Sequence, residues 1–151
     1  MEKEGRLTVK LHRFLHDAWP YQHQTPTEKG YPEVFDLMSH WVLYYDSKPI
    51  GYTGSLDMGH FHFVGNTYIL PEYRQSGWHS YLLSVRNANL GLRPKITVLN
   101  PIDGTHMANL VKVVSKLGYT PVVSYENVRD VMSEKLYEEI RNENQQLWRM
   151  D

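Results

Sequence analysis

Leu70-Pro71-Glu72-Tyr73-Arg74-Gln75-Ser76-Gly77-Trp78-His79-Ser80-Tyr81-Leu82-Leu83 is the stretch of sequence on which the fold turns. Ahead of it, Phe61 to Leu70 is rich in aromatic and β-branched residues, which predicts a strand. Pro71 ends that strand. From Gly77 to about Leu90 the spacing predicts a helix, with Trp78, Tyr81, Leu82, Val85 and Ala88 on its 3.6-residue period and Gly91 and Pro94 as stops. A polar, glycine-containing turn between a strand end and a helix start has a chemical consequence. The first N–H groups of the helix lack intrahelical acceptors, and the dipole adds positive potential, so the turn suits a phosphate or pyrophosphate. Arg74 would add a charged fork at the rim. The same residues also suit a plain connection with Arg74 in solvent.

Working outward, Gly65-Asn66 interrupts the strand before the turn, where glycine permits a bulge or a close backbone approach. Trp41–Tyr45 and Ile50–Leu56 read as a hairpin around Asp46-Ser47-Lys48-Pro49, and Asp57-Met58-Gly59 turns the chain again. Leu7, Val9 and Leu11 alternate as a short strand. Between His12 and His40 the pattern weakens under Pro20, Pro26, Gly30 and Pro32, with a helical turn expected at Glu33–Ser39. Downstream, Ile96–Leu99 predicts a strand. About His106 to Leu117 predicts a helix with Leu110, Val111, Val113, Val114 and Leu117 inward and Gly118 as cap, and Thr120–Ser124 a further strand. The order predicts one α/β (α+β) domain over residues 1–151, an α/β layer behind an antiparallel meander. Val128, Val131, Met132, Leu136, Ile140, Leu147 and Trp148 recur at helical spacing. They predict an amphipathic helix over about 127–148, packed on its own sheet or reaching a second copy as a homodimer contact.

The quoted segment resembles the acetyl-CoA-binding motif of the Gcn5-related N-acetyltransferases (GNAT), Arg/Gln-x-x-Gly-x-Gly/Ala after a strand. Arg74 and Gly77 match its first and fourth positions, and Pro71-Glu72-Tyr73 and Ser80-Tyr81-Leu82-Leu83 match its approach and helix continuation. The strand Ile96–Leu99, the following helix and Lys116-Leu117-Gly118-Tyr119 extend the resemblance to a core of about 41–123. It implies the GNAT-like acyl-CoA N-acyltransferase fold, a mixed central sheet with flanking helices and a slot where the bulged fourth strand and its neighbour splay. It also implies acetyl-CoA or another acyl-CoA as cofactor. Tyr68, Ile69 and Leu70 would bond pantetheine and polarise the thioester carbonyl, while Arg74, Gln75, Ser76, Gly77, Trp78 and His79 would hold the pyrophosphate. The implied activity is direct acyl transfer to the amine of a small molecule or a protein, with the Trp19–Tyr31 segment over the acceptor side. Family members commonly end in a seventh strand, which the sequence after Ser124 does not display.

The chain departs from the pattern at three places. His79 stands where a small residue closes the motif, Gln75 replaces a frequent glycine, and Val114 occupies the position of a tyrosine that protonates the departing thiolate. Loss of such a donor costs about 10²–10⁴ in rate. His62 and His60, two apart at a strand start, are the proton-acceptor candidates, with Asp57 behind them. The departures support an alternative: a weakly active or non-catalytic binding protein on the same fold. His12, His16, His23 and His40 are separated by four, seven and seventeen residues without a firm helix or a supporting carboxylate pattern, and no metal is expected.

Composition narrows the classes. The 151 residues contain no cysteine, which excludes a thiol acyl-enzyme, disulfides and thiolate metal sites. Sixteen Lys and Arg stand against seventeen Asp and Glu, and this balance disfavours a dedicated nucleic-acid binder. No apolar run reaches spanning length and the tail's polar face is acidic, so no membrane partner and a cytoplasmic location are expected.

Overall fold

The computed structural model describes residues 6–21, 37–74, 76–99, 104–140 and 146–151, with side chains from 111 onward in the fourth range. Its strands are β1 (Leu7–His12), β2 (Ser39–Tyr45), β3 (Lys48–Asp57), β4 (His62–Ile69), β5 (Lys95–Leu99), β6 (Thr120–Pro121) and β7 (Gln146–Met150). Its helices are α1 (Trp78–Leu90), α2 (Gly104–Leu117) and α3 (Glu134–Ile140). Together they make a mixed β-sheet with flanking helices, the strands following one another as β1-β2-β3-β4-β5-β7-β6. Contacts group the chain into two compact units, Met1–Leu56 with Gly65–Asn89, and Asp57–Val64 with Leu90–Asp151.

In the first unit, β1, β2 and β3 form an antiparallel meander, with Leu7 opposite Tyr45 and Val42 opposite Tyr52. Asp46 and Ser47 carry φ of 53° and 69°, the paired positive values of a two-residue hairpin turn. The turn is tighter than the sequence predicts, so β3 begins at Lys48 and takes Pro49 into the strand beside a register shift at Leu43/Tyr44. Val42, Leu43, Ile50, Tyr52, Ile69, Leu70 and Leu82 form the core. The buried stripe of α1 is Leu82, Leu83, Arg86 and Asn87, while Tyr81 is 41% exposed. Of the predicted apolar period, Leu82 is buried and Trp78 packs against the core, while Tyr81 and Ala88 are exposed, so the buried stripe is rotated from the predicted one. The helix is turned because Arg86 Nη1 donates to Thr53 Oγ1 at 2.7 Å, and Thr53 bonds Thr67 at 2.7 Å. Satisfied in this way, polar residues face the sheet.

The second unit holds the start of β4, which pairs parallel with β5 through His62↔Lys95 and Phe63↔Ile96. β5 pairs antiparallel along its length with β7, and β7 with β6. Here the expected long C-terminal helix is corrected. After a 3-10 turn at Tyr125–Asn127 come α3, of seven residues, and then a strand, β7. The helical spacing of Val128, Val131 and Met132 is real but local. Val131 N and Met132 N both donate to Val128 O, at 3.0 and 3.1 Å, closing single turns. Leu147 packs with Phe61, Ile96 and Val122, and its neighbour Trp148 with Val64, Leu99 and Val114. Adjacent side chains entering two different clusters mark a strand covered on both faces. The tail thus packs on its own unit, and a dimer contact through a long helix has no such helix to use. β6 is shorter than the predicted Thr120–Ser124, although Val122 N still donates to Leu147 O at 2.8 Å.

Leu147 is 1% exposed. Leu147→Ala is expected to lower stability by about 2–5 kcal/mol in urea unfolding with an unchanged m-value. The Glu33–Ser39 turn falls on residues outside the described ones, apart from Leu37 and Met38 and from Ser39, which opens β2. No helix among the described residues is long and apolar enough to cross a membrane.

Candidate active site at the end of β4

The site in the first unit starts from an extra residue in β4. At the loop end of the β3–β4 hairpin, Met58 N donates to Phe61 O, and at the far end Leu70 N donates to Ile50 O, at 2.9 and 2.8 Å. Met58 back to Ile50 is eight steps, whereas Phe61 on to Leu70 is nine, so β4 spends one residue more than its partner. Asn66, at φ 54°, is where the surplus is absorbed. The Gly65-Asn66 interruption is a bulge.

Beyond it the register determines which backbone groups point where. Leu70 N–H is committed to Ile50, and Tyr68 O lies 2.9 Å from the Cβ that Gly51 lacks. By the alternation of antiparallel strands, Ile69 then directs its N–H and C=O away from β3. The three expected pantetheine contacts are thus unequal: Ile69 is on the outward edge, while the Leu70 N–H is turned to β3.

Arg74 is not a loose surface charge. Its Nε donates to Ile69 O at 2.7 Å, and its guanidinium lies 5.0 Å from the Tyr68 ring centroid. The strand end and the turn are pinned together. Pro71–Tyr73 forms a 3-10 turn, Gly77 adopts φ 85°, and Tyr81 N donates to Gly77 O at 3.1 Å to open α1. A Cβ on Gly77 would meet nothing within 4 Å, so glycine is required there by backbone conformation rather than by space. Ser76 is exposed and bonds Arg74 O at 3.4 Å. Trp78 leans on Tyr45, centroids 6.4 Å apart, and fixes the first turn of α1 against the hairpin. His79 is half-buried, and Gln75 lies outside the described residues. A bulged strand end, a charged guanidinium and the N-terminus of a helix whose first N–H groups point outward are thus brought together within one unit.

Trp19 seals the opposite face of this sheet. It packs edge-on to Tyr52, Tyr21 and Tyr68, with centroids 4.8, 5.1 and 6.3 Å away. Residues 22–31 of the Trp19–Tyr31 segment lie outside the described residues.

The histidine candidates separate. His60 is exposed at the tip of the loop, whereas β4 starts only at His62, so the two do not share a strand face. His62 is 6% exposed, and neither ring nitrogen has a hydrogen-bond partner among the described residues. Burial, and then the positive charge of Arg93, push its pKa below the ordinary imidazole value; Lys95 adds to this, and Asp57 and the Leu90 backbone oppose it. Asp57 itself is held by Arg93 through bonds of 2.8 and 3.1 Å. Val114, at the position of the expected acid, is buried among Val64, Leu99, Tyr119 and Trp148 and serves packing.

One residue escaped sequence reasoning. His40 is 1% exposed, and Asn66 Nδ2 donates to its Nε2 at 2.9 Å. Burial lowers its pKa to about 4, against a smaller opposing effect of the Met38 backbone. The available signal was a histidine beginning a strand opposite Gly54. Among the described residues no group of three or more His, Asp or Glu is placed to hold a metal ion.

No protein-family model matches the sequence, nor does any curated protein. Solved structures do match in three dimensions. A GNAT-family acetyltransferase from Elizabethkingia anophelis with acetyl-CoA bound superposes at TM-score 0.64 with 13% identity, covering 97% of this chain and 98% of that one. The N-acetylglutamate synthase from Neisseria gonorrhoeae, complexed with coenzyme A and N-acetyl-glutamate, matches at 0.60 and 12% identity over 95% of this chain. A chain from Bacteroides thetaiotaomicron described as a GNAT-family acetyltransferase matches at 0.52 and 15% over 75% of this chain. The chain spans 35% of the Neisseria protein's length and 61% of the Bacteroides protein's. The fold of this chain is that of the GNAT acyl-CoA N-acyltransferases.

Proposed function

We propose that the protein is an acyl-CoA-dependent N-acyltransferase, using acetyl-CoA and transferring directly to a primary amine of a small molecule or a protein. The observation that carries this is the bulged end of β4 pinned by Arg74 beside the Gly77 turn. Pantetheine would extend along the outward edge at Ile69, whose N–H donates to the thioester carbonyl and favours the charge that develops on its oxygen. Tyr68 and Leu70 would frame that edge. The pyrophosphate would rest on the first N–H groups of α1 within the 74–79 turn, Gln75, Ser76, Trp78 and His79 lining it, with Arg74 supplying charge. The amine attacks the thioester carbon, the tetrahedral species collapses, and the CoA thiolate leaves. His62, whose burial favours the neutral imidazole, and the exposed His60 are the candidate acceptors of the amine's proton. With Val114 in place of an acid, water protonates the thiolate.

Arg74→Ala removes a charge-assisted bond and the ring contact together, and is expected to weaken acetyl-CoA binding about ten- to thirtyfold in calorimetry. The function itself is tested by thiol release from acetyl-CoA across a panel of small amines, amino sugars, peptide N-termini and lysine. Acceptor-dependent release is expected. Binding without release across the panel would favour the second reading, a non-catalytic GNAT-fold binding protein, to which the buried Val114 lends weight.

A further inference from the structure

His40 and Asn66 belong to no part of the anion site, yet they meet where β4 takes up its extra residue. Asn66 is one of three non-glycine residues among the described ones at positive φ, and the other two form a hairpin turn, where such values are ordinary. In the middle of a strand a left-handed residue needs something to hold it. The structure supplies that from β2: Asn66 Nδ2 donates to His40 Nε2 at 2.9 Å. Accepting there places the proton of the neutral imidazole on Nδ1. The imidazole is itself fixed. It is 1% exposed, stands edge-on to Tyr52 at 5.6 Å, and faces Gly54 across the β2–β3 register. A Cβ on Gly54 would lie 3.0 Å from His40 Nε2 and 3.2 Å from Gly65 O, so glycine at 54 leaves room for both the ring and the bulge.

We infer that His40 is a positioning residue for the acyl-CoA site, acting through Asn66 to hold the β4 bulge and thereby the outward direction of the Ile69 backbone. The inference rests on the function proposed above. Its chemistry is conformational: no bond to substrate is made, and the imidazole serves only as acceptor. Two residues, Thr67 and Tyr68, separate Asn66 from Ile69. If the bulge relaxed, the surplus residue would be displaced along β4, and each one-residue slip reverses which edge a backbone N–H faces.

The test measures two properties of the purified protein: acetyl-CoA affinity by calorimetry, and amide exchange without ligand at Tyr68 and Leu70, the N–H groups of this stretch that face β3. His40→Ala is expected to weaken binding about three- to tenfold and to speed that exchange. Adding Asn66→Gly should restore affinity to within about twofold of the unsubstituted protein, because glycine takes a left-handed conformation without an anchor. The melting temperature should stay low, since the void left by the imidazole remains. Unchanged affinity and exchange in His40→Ala would overturn the inference. So would a double variant that binds no better than His40→Ala, which would mean that the histidine merely fills space. If His40→Ala does not fold, His40→Phe fills the same space without offering an acceptor to Asn66, with the same two readings. If the unsubstituted protein binds no acetyl-CoA, the proposed function fails, and exchange alone decides the role of His40.

Discussion

Replacing Gly77 by glutamate is expected to weaken acetyl-CoA binding at least about a hundredfold while leaving the protein folded. Two effects add. Gly77 sits at φ 85°, where an L-residue costs about 1–2 kcal/mol. The turn would escape that strain by relaxing, and binding would have to restore it. The carboxylate then stands beside the incoming pyrophosphate, where a like charge at about 4 Å costs from about 1 kcal/mol in water to about 4 kcal/mol near a protein surface. A loss of about 2.7 kcal/mol is already a hundredfold. Gly77→Ala separates the terms: it introduces strain without charge and should lose about tenfold. Because a Cβ there meets nothing within 4 Å, neither variant should disturb packing, and melting temperatures should fall only by the few degrees that the backbone strain costs. A Gly77→Glu protein that binds as well as the original would remove the anion site from the account.

Stability should fall by up to about 3 kcal/mol as pH drops from about 6.5 to about 4, through His40. Its pKa is lowered from 6.5 to about 4 by burial. The unfolded chain takes a proton near 6.5 while the folded one resists until about 4. The contribution is therefore complete above 6.5, declines between the two values, and is flat below the lower one; about 2.5 units at 1.36 kcal/mol each gives the magnitude. His62, also lowered by burial, acts with the same sign. Asp57 and Asp130, lowered mainly by bonds to Arg93 and Arg149, lose their contributions only at more acid pH. Urea unfolding at pH 7, 5.5 and 4.5 reads the slope, and His40→Gln should flatten it. An equally steep profile in that variant would assign the slope elsewhere.

The legible part of this fold is the part written in local signals. Asp46-Ser47, Gly65-Asn66 and the break at Pro71 each announce themselves through residues with restricted or permissive backbones, although the first turn closes two residues earlier than the sequence predicts. Periodicity served less well. In α1 it selects Tyr81 over Arg86, because apolar spacing cannot see that Thr53 and Asn87 offer a buried arginine its partners. In the tail it joins Val128 to Trp148 as one helix, because turns that close on Val128 and a strand buried on both faces imitate a 3.6-residue repeat. The clue there was the adjacent pair Leu147-Trp148 behind Asn142-Glu143-Asn144. Within the site, Arg74 and Gly77 were legible as a motif. Which of Tyr68, Ile69 and Leu70 faces outward was not, since that depends on the register beyond the bulge, and so did the meeting of His40 with Asn66.

The central claim is that the β4 end and the Gly77 turn form an acyl-CoA site. The most direct measurement is calorimetric titration of the purified protein with acetyl-CoA, with Gly77→Glu as control. Saturable one-to-one binding below millimolar concentration, abolished in the control, is the predicted result. Absence of binding at millimolar acetyl-CoA would contradict it.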